Sequence, residues 1–294
     1  MDVYDAIIVG AGPAGLTAAT YLARFRRRVL VLGAGPSRAS WIPESHNTPG
    51  FPQSVGGDEL LARLVAQATQ FGATLREGVV QRLERAGDGF EAVTPDGRFA
   101  APFVLLATGV LDRMPALDGI DEAIRRSVVR MCPICDAYEA IGQRIAVLSD
   151  SPLGDRETAF LRTYSEAVTL LRLPSDTVAS APPTVAAYET LDVALGRLEL
   201  NDRGVGLTTP GRPDRDFDHL YLALGCTAQS GLALSCGARC DEAGNLVVDA
   251  HQQTSAPGLY AAGDVVRGLN QITVAAGEAA IAATAIHNRL RETD

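Results

Sequence analysis

Hydrophobic residues along the chain gather into short unbroken runs, most of them closed by glycine or a small polar residue. These runs are DAIIV (5–9), VLVLG (29–33), FVLLATG (103–109), RIAVLSD (144–150), AVTLL (167–171), HLYLALG (219–225) and GLYAAGD (258–264). Continuous apolar runs of this length predict strands buried on both faces, as a parallel sheet requires. Between them lie segments of helical character. LTAATYLARF follows the first run, and an amphipathic helix ends the Pro/Gly-rich stretch 41–73. RETAFLRTY follows RIAVLSD, and a small-residue helix runs from about 273 to 290. FEAVTPDGRFA reads as short strands and turns. The strand–helix–strand order occurs twice, which predicts an α/β chain with two nucleotide-fold units. HLYLALG echoes FVLLATG and is expected to mark the return to the first unit.

A length of 294 residues accommodates two domains, and 47% hydrophobic residues with mean hydropathy near zero fit a soluble globular protein. No apolar run reaches the roughly 18 residues a membrane span needs. The start, MDVYDAIIVGAG, has no basic region ahead of an apolar core, so the expected location is the cytoplasm, with no membrane partner. A net charge of −9 argues against nucleic acid, whose phosphates are met by clustered cations. The main basic run, RFRRR at 24–28, falls at the end of a predicted helix, where cations complement the helix dipole. All 26 Lys-plus-Arg positions are arginine, which excludes Schiff-base catalysis and a P-loop lysine.

The first strand runs into GAGPAG (10–15), and a helix and a second strand follow. This is the dinucleotide fingerprint in its required context. Gly10 permits the tight turn, Gly12 lets the backbone approach a pyrophosphate, and Gly15 lets helix and strand pack closely. The helix N-terminus then offers unpaired N–H groups to phosphate. An acidic residue that grips ribose is expected at the end of the second strand, but Gly33 stands there. Backbone, Ser37 or Arg38 is left to make that contact.

RMCPICDAYE (130–139) sets Cys132 and Cys135 two residues apart with Asp136 directly after. Three chemistries use that spacing: a redox disulfide, half of a zinc site, or two inert buried thiols. Zinc would recruit Cys236 and Cys240, about 100 residues away, but four histidines in the chain and a nucleotide fold around the thiols disfavour a metal. Cys226, Cys236 and Cys240 read as small hydrophobes. A Cys-x-x-Cys pair opening a helix is expected to gain a lowered thiol pKa from the helix dipole, and Pro133 restricts the loop between the thiols.

With GxGxxG first, ATG near 108, Cys-x-x-Cys-Asp near 134 and a late YAAGD, the whole chain resembles the low-molecular-weight thioredoxin reductases. The resemblance extends to their relatives among two-domain FAD-dependent pyridine nucleotide–disulfide oxidoreductases. The resemblance implies two Rossmann-like (three-layer ββα/αβα) nucleotide-binding domains. The FAD domain is discontinuous, at 1–112 and 225–294, and the central NAD(P)-type domain, 113–224, carries the dithiol. It implies that Gly10, Gly12, Pro13, Ala14 and Gly15 bind the FAD pyrophosphate and that Asn47 lies beside the flavin. Thr108 and Gly109 form the ATG turn at the cofactor, Gly263 and Asp264 reach the ribityl chain, and Gln271 and Ile272 lie against the isoalloxazine. Cys135 takes electrons from reduced FAD, Cys132 attacks a substrate disulfide, and Asp136 protonates the leaving thiolate. It further implies a homodimer and a thioredoxin-like protein or small dithiol as partner.

The chain departs from the family pattern in the central unit. In VLSDSPLGDRE (147–157), Ser149 and Ser151 stand where the first two glycines of an NADPH fingerprint belong. After the next strand, LLRLPSD (170–176) has Arg172 alone where NADPH-using members carry a basic cluster. The erosion weighs against conventional NADPH use. Relatives with such erosion draw electrons from ferredoxin or another donor, or run the dithiol backwards as oxidases of small molecules with oxygen. Those oxidases typically place histidine after the second cysteine, so Asp136 favours the reductase direction. A further alternative is a non-catalytic FAD-binding module. Trp41 and His46 are read either as walls of a pocket or as parts of a packed surface loop.

Overall fold

The computed structural model describes residues 2–174, 188–211 and 213–292. The chain divides into two compact units, one formed by Met1–Ser40, Thr48–Leu111 and Thr227–Asp294, the other by Trp41–Asn47 and Asp112–Cys226. The short stretch Trp41–Asn47 thus groups with the second unit, which no motif in the sequence signals.

The first unit holds a five-stranded parallel sheet in the order Leu259–Ala261, Phe103–Leu106, Ala6–Val9, Val29–Gly33, Thr74–Glu77. Its central strands are apolar throughout because both faces are covered. Ile7, Val9, Leu30, Leu32, Val104 and Leu106 pack with Leu83, Phe90 and Phe99 of a second, four-stranded sheet. The alternate residues Ala6, Ile8, Val29, Val31 and Leu105 pack with Ala18, Leu22, Ala279 and Ile286 of helices Pro13–Arg24 and Ile272–Arg291. Burying each large aliphatic side chain here stabilises the unit by roughly 1.5–3 kcal/mol. The predicted turn in FEAVTPDGRFA joins strands Gly89–Thr94 and Gly97–Ala101 of the second sheet, with Thr94 opposite Gly97.

The second unit repeats the plan. Its parallel sheet has the order Val129–Arg130, His219–Leu222, Ile145–Ser149, Val168–Arg172, Glu189–Asp192. One face, with Ala146, Leu148, Leu171 and Leu220, packs with Val205, Leu207 and Phe217 of a three-stranded antiparallel sheet. The other face, with Ile145, Val147, Leu170 and Tyr221, packs with Leu161 and with Ala137 and Ala140, just after the Cys-x-x-Cys turn.

Two expectations are corrected here. HLYLALG, expected to mark the return to the first unit, supplies the strand His219–Leu222 of the second unit's parallel sheet, and the first unit resumes after it, at Thr227. A buried run ending in glycine looks the same in either sheet, so its pattern cannot assign it. The helix placed at RETAFLRTY starts earlier, spanning Leu153–Leu161. In the extra turn the Gly154 amide is shared between the Ser149 hydroxyl and the Ser151 carbonyl, each at 3.1 Å.

Candidate active site

In the first unit the carboxyl ends of four neighbouring strands carry the predicted cofactor residues, the edge at which open α/β sheets bind ligands. Gly10 follows Ala6–Val9 with φ +113°, and a Cβ there would stand 2.1 Å from the Ala107 carbonyl oxygen. A Cβ on Gly15 would stand 1.9 Å from the Gly10 oxygen. Gly12 is the N-cap of Pro13–Arg24 and no side chain caps it, which leaves the amides of Ala14 and Gly15 free of the helix ladder. The cradle therefore suits the pyrophosphate of a dinucleotide. Gly33 ends its strand with a site for Cβ only 2.8 Å from Ala11 Cβ, so close packing accounts for the missing acidic residue.

Other predicted residues gather at the same edge. Arg38 Nη1 lies 3.2 Å from Asp264 Oδ2, and a Cβ on Gly12 would lie 3.1 Å from Ser37 Oγ. Thr108 donates its hydroxyl to the Gln229 carbonyl at 2.7 Å, and the Gly109 carbonyl accepts the Gln229 amide at 2.9 Å. Gly263, at φ +80°, donates its amide to Glu278 Oε2 at 2.7 Å, and burial pushes the Glu278 carboxyl above its ordinary pKa. Gln271 is the N-cap of the helix that begins at Ile272.

In the second unit Cys132 and Cys135 are joined in a disulfide. The helix they open, Pro133–Asp136, is a single turn. The expected dipole contribution to the thiols is thereby reduced, since the macrodipole is a sum over aligned peptide units. Asn47 belongs to this unit, where its side-chain amide reaches the Ile134 carbonyl at 3.5 Å. His46 sits between Glu44, at 3.4 Å, and Glu139, at 3.9 Å, while Trp41 is 37% exposed.

Asp136 turns toward the sheet. Tyr221 donates its hydroxyl to Asp136 Oδ1 at 2.9 Å. Arg130 Nη1 lies 3.3 Å from Oδ2 and donates to the Asp136 carbonyl at 3.0 Å. Burial pushes the Asp136 carboxyl above the usual range, and Arg130 and Tyr221 pull it back.

The turn after Ile145–Ser149 is closed by the Ser149 side chain together with the Ser151 carbonyl, which accepts the Gly154 amide at 3.1 Å. Ser149 Oγ accepts the Ser151 amide at 3.2 Å and the Gly154 amide at 3.1 Å, and donates to the Ala223 carbonyl at 2.8 Å. Asp150 beside it pairs with Arg113 at 2.6 Å, and Asp155 accepts the Tyr188 hydroxyl at 2.5 Å. Arg172 ends its strand, while residues 175 and 176 of LLRLPSD lie outside the described residues.

Comparison with known proteins bears on this arrangement. A sequence model of the pyridine nucleotide-disulphide oxidoreductases matches residues 4–279. The chain belongs to that family. The thioredoxin reductase of Aquifex aeolicus is 31% identical over 300 residues, covering 97% of this chain and 92% of the relative. A bifunctional thioredoxin reductase/thioredoxin of Mycobacterium leprae is 30% identical, covering 96% of this chain and 64% of the relative. The solved structure of thioredoxin reductase from Streptococcus pyogenes superposes with a TM-score of 0.81 at 26% identity, over 99% of both chains. The protein is a thioredoxin reductase-like, FAD-dependent disulfide oxidoreductase, which sets aside its reading as a non-catalytic flavin module.

Sequence reasoning missed three residues of this oxidoreductase: Glu278 at Gly263, and Arg130 and Tyr221 at Asp136. Arg130 stands inside the quoted dithiol stretch, and an arginine that is only 8% exposed needs partners. Tyr221 stands between two leucines of a buried strand, which was its only signal. Cys236 and Cys240, the other half of the zinc alternative, belong to the first unit, where the Cys236 thiol donates to the Leu83 carbonyl at 3.3 Å. Among the described residues no cluster of three or more His, Cys, Asp or Glu could hold a metal, and no helix is long and apolar enough to cross a membrane.

Proposed function

We propose that Cys132 and Cys135 pass electrons between FAD and a disulfide or dithiol substrate, and that the donor is ferredoxin or another carrier rather than NADPH. The closed Cys132–Cys135 disulfide carries the first part of this reading. The first unit is the FAD domain, with boundaries near 1–112 and 225–294, and residues 113–224 form the central domain. Gly10, Gly12, Pro13, Ala14 and Gly15 hold the pyrophosphate, with Gly33, Ser37, Arg38, Asn47, Thr108, Gly109, Gly263, Asp264, Gln271 and Ile272 along the rest of the cofactor. When bound, FAD supplies a two-electron carrier to the dithiol. The Cys132 thiolate attacks the substrate disulfide, forming a mixed disulfide and releasing one thiolate, which takes its proton from Asp136. Cys135 then attacks the Cys132 sulfur, releasing the second thiolate and closing Cys132–Cys135. A thioredoxin-like protein or a small disulfide is the partner, and the enzyme is a cytoplasmic homodimer.

The Ser149 turn supports the second part. Its hydroxyl takes the two amides that a glycine-rich turn would offer to a pyrophosphate. Asp150 and Asp155 add carboxylates where an anion would have to sit. These residues do not fit NADPH. The test is anaerobic mixing of the oxidised holoenzyme with NADPH, NADH, reduced ferredoxin and a small dithiol in turn, following flavin absorbance. Dithiol and reduced ferredoxin are expected to bleach the flavin; rapid bleaching by NADPH overturns the donor assignment. Dithionite titration is expected to consume four electrons, and an endpoint of two would show that the dithiol is not coupled to the flavin.

A further inference from the structure

Arg130 and Tyr221 are partners in the parallel ladder between strands Val129–Arg130 and His219–Leu222. Between them they hold Asp136 at both ends. The two carboxylate oxygens meet Tyr221 at 2.9 Å and Arg130 at 3.3 Å. The Asp136 carbonyl meets Arg130 Nη1 at 3.0 Å and lies 3.3 Å from the Tyr221 hydroxyl. Arg130 is itself held from behind, since its Nε lies 3.1 Å from the Ser127 carbonyl and 3.3 Å from His219 Nδ1. Tyr221 is fully buried and Arg130 nearly so. The residue after Cys135 is thus fixed to the edge strand of a sheet and to the strand beside it, through groups in which a charge or a hydroxyl would be costly without its partner.

We propose that Arg130 and Tyr221 are positioning residues for the redox pair. By gripping Asp136 at carboxylate and carbonyl, they hold the Cys132–Cys135 turn in the geometry in which the disulfide closes. The inference rests on the assignment of these cysteines as the redox pair. Closure is favoured when the two sulfurs are held near each other, and a loosened turn lowers their effective concentration. A residue that only stabilised the fold would favour the oxidised and reduced forms equally and leave their ratio unchanged. Glu139 is the other charged group acting on Asp136, and it belongs to the dithiol segment rather than to the sheet.

The measurement is the equilibrium of the holoenzyme with glutathione buffers under anaerobic conditions, read by alkylation and mass of the Cys132–Cys135 peptide. In the reaction the protein dithiol plus glutathione disulfide gives the protein disulfide plus two glutathione thiols, so electrons and protons balance. Tyr221→Phe removes one oxygen and keeps the ring. It is expected to lower the preference for the closed disulfide three- to tenfold, and tenfold is about 30 mV for a two-electron couple. Arg130→Met is expected to lower it tenfold or more, with partial recovery in Arg130→Lys. In an Asp136→Ala background, Tyr221→Phe is expected to lose most of its effect. An unchanged ratio in Tyr221→Phe overturns the proposal, as does a full shift that persists in the Asp136→Ala background. If Arg130→Met does not fold, the isosteric tyrosine variant decides. Failure of the dithiol assignment itself would show separately, as a two-electron flavin titration with these ratios still shifted.

Discussion

Ser149 and Gly154 lie five residues apart, and the serine hydroxyl oxygen accepts the glycine amide at 3.1 Å. A Cβ on Gly154 would stand 2.4 Å from Ser149 Cβ, so the glycine is what lets the serine close the turn. Ser149→Ala takes away the acceptor of the Ser151 amide and the donor to the Ala223 carbonyl in a site that is 2% exposed, and leaves the Gly154 amide only the Ser151 carbonyl. The expected cost is about 1–3 kcal/mol of unfolding free energy. Trp41, the single tryptophan, belongs to the same unit and its fluorescence in urea reports the loss. Ser151→Gly should move the midpoint much less, and equal effects from both serines would refute the capping account.

In the first unit, Gly15→Ala is expected to abolish flavin retention. The new Cβ would fall 1.9 Å from a carbonyl oxygen of the fingerprint turn, a collision that backbone must absorb. Purified protein should show a low ratio of absorbance at flavin to protein wavelengths. Retention at the unsubstituted level would mean that the turn relaxes freely and that helix–strand proximity is not what holds it.

Gly33→Asp installs the acidic residue that dinucleotide sites of this kind usually carry. Here it should weaken FAD binding rather than strengthen it, by tenfold or more, because its Cβ would stand 2.8 Å from Ala11 Cβ. Flavin release on dilution measures this directly. Tighter binding would show that the sheet edge has room the packing denies.

Glu157 is mostly buried and its Oε2 has no hydrogen-bond partner among the described residues. Desolvation raises its pKa to about 7, against a pull downward from Arg156. In the unfolded chain the group titrates near 4.5. Below that pH both forms are protonated. Between the two values the folded chain keeps a proton that the unfolded chain releases, so stability falls as pH rises and stays lower above 7. The loss is about 1–3 kcal/mol. Glu157→Gln should therefore be more stable than the parent at pH 8 and about equal at pH 4.5, which thermal unfolding at the two pH values compares.

Much of this was legible in sequence because the physics is local. Unbroken apolar runs announced the parallel strands, and the glycines at 10, 12 and 15 announced the turn whose close contacts only glycine permits. The dithiol was legible as one of three readings of its spacing, and the motifs around it chose among them. What escaped depended on partners distant in sequence. Tyr221 reaches Asp136 across 85 residues and Glu278 reaches Gly263 across 15, and nothing local marks either. The three-stranded sheet at Leu198–Asn201, Gly204–Leu207 and Arg215–Phe217 was missed because its strands are short and only half apolar. Gly33 was legible as a departure, but its cause, Ala11 in the fingerprint turn, required the packed structure.

The discontinuity of the first unit also bears on biosynthesis. Strand Leu259–Ala261 is an edge of its parallel sheet, and helix Ile272–Arg291 packs along Pro13–Arg24. Both are synthesised after the dithiol-bearing unit. The dithiol-bearing unit ends at Cys226, so its whole length is made before the sheet behind Gly10 gains its last strand. Of the two units, the first is therefore the later to have all of its chain.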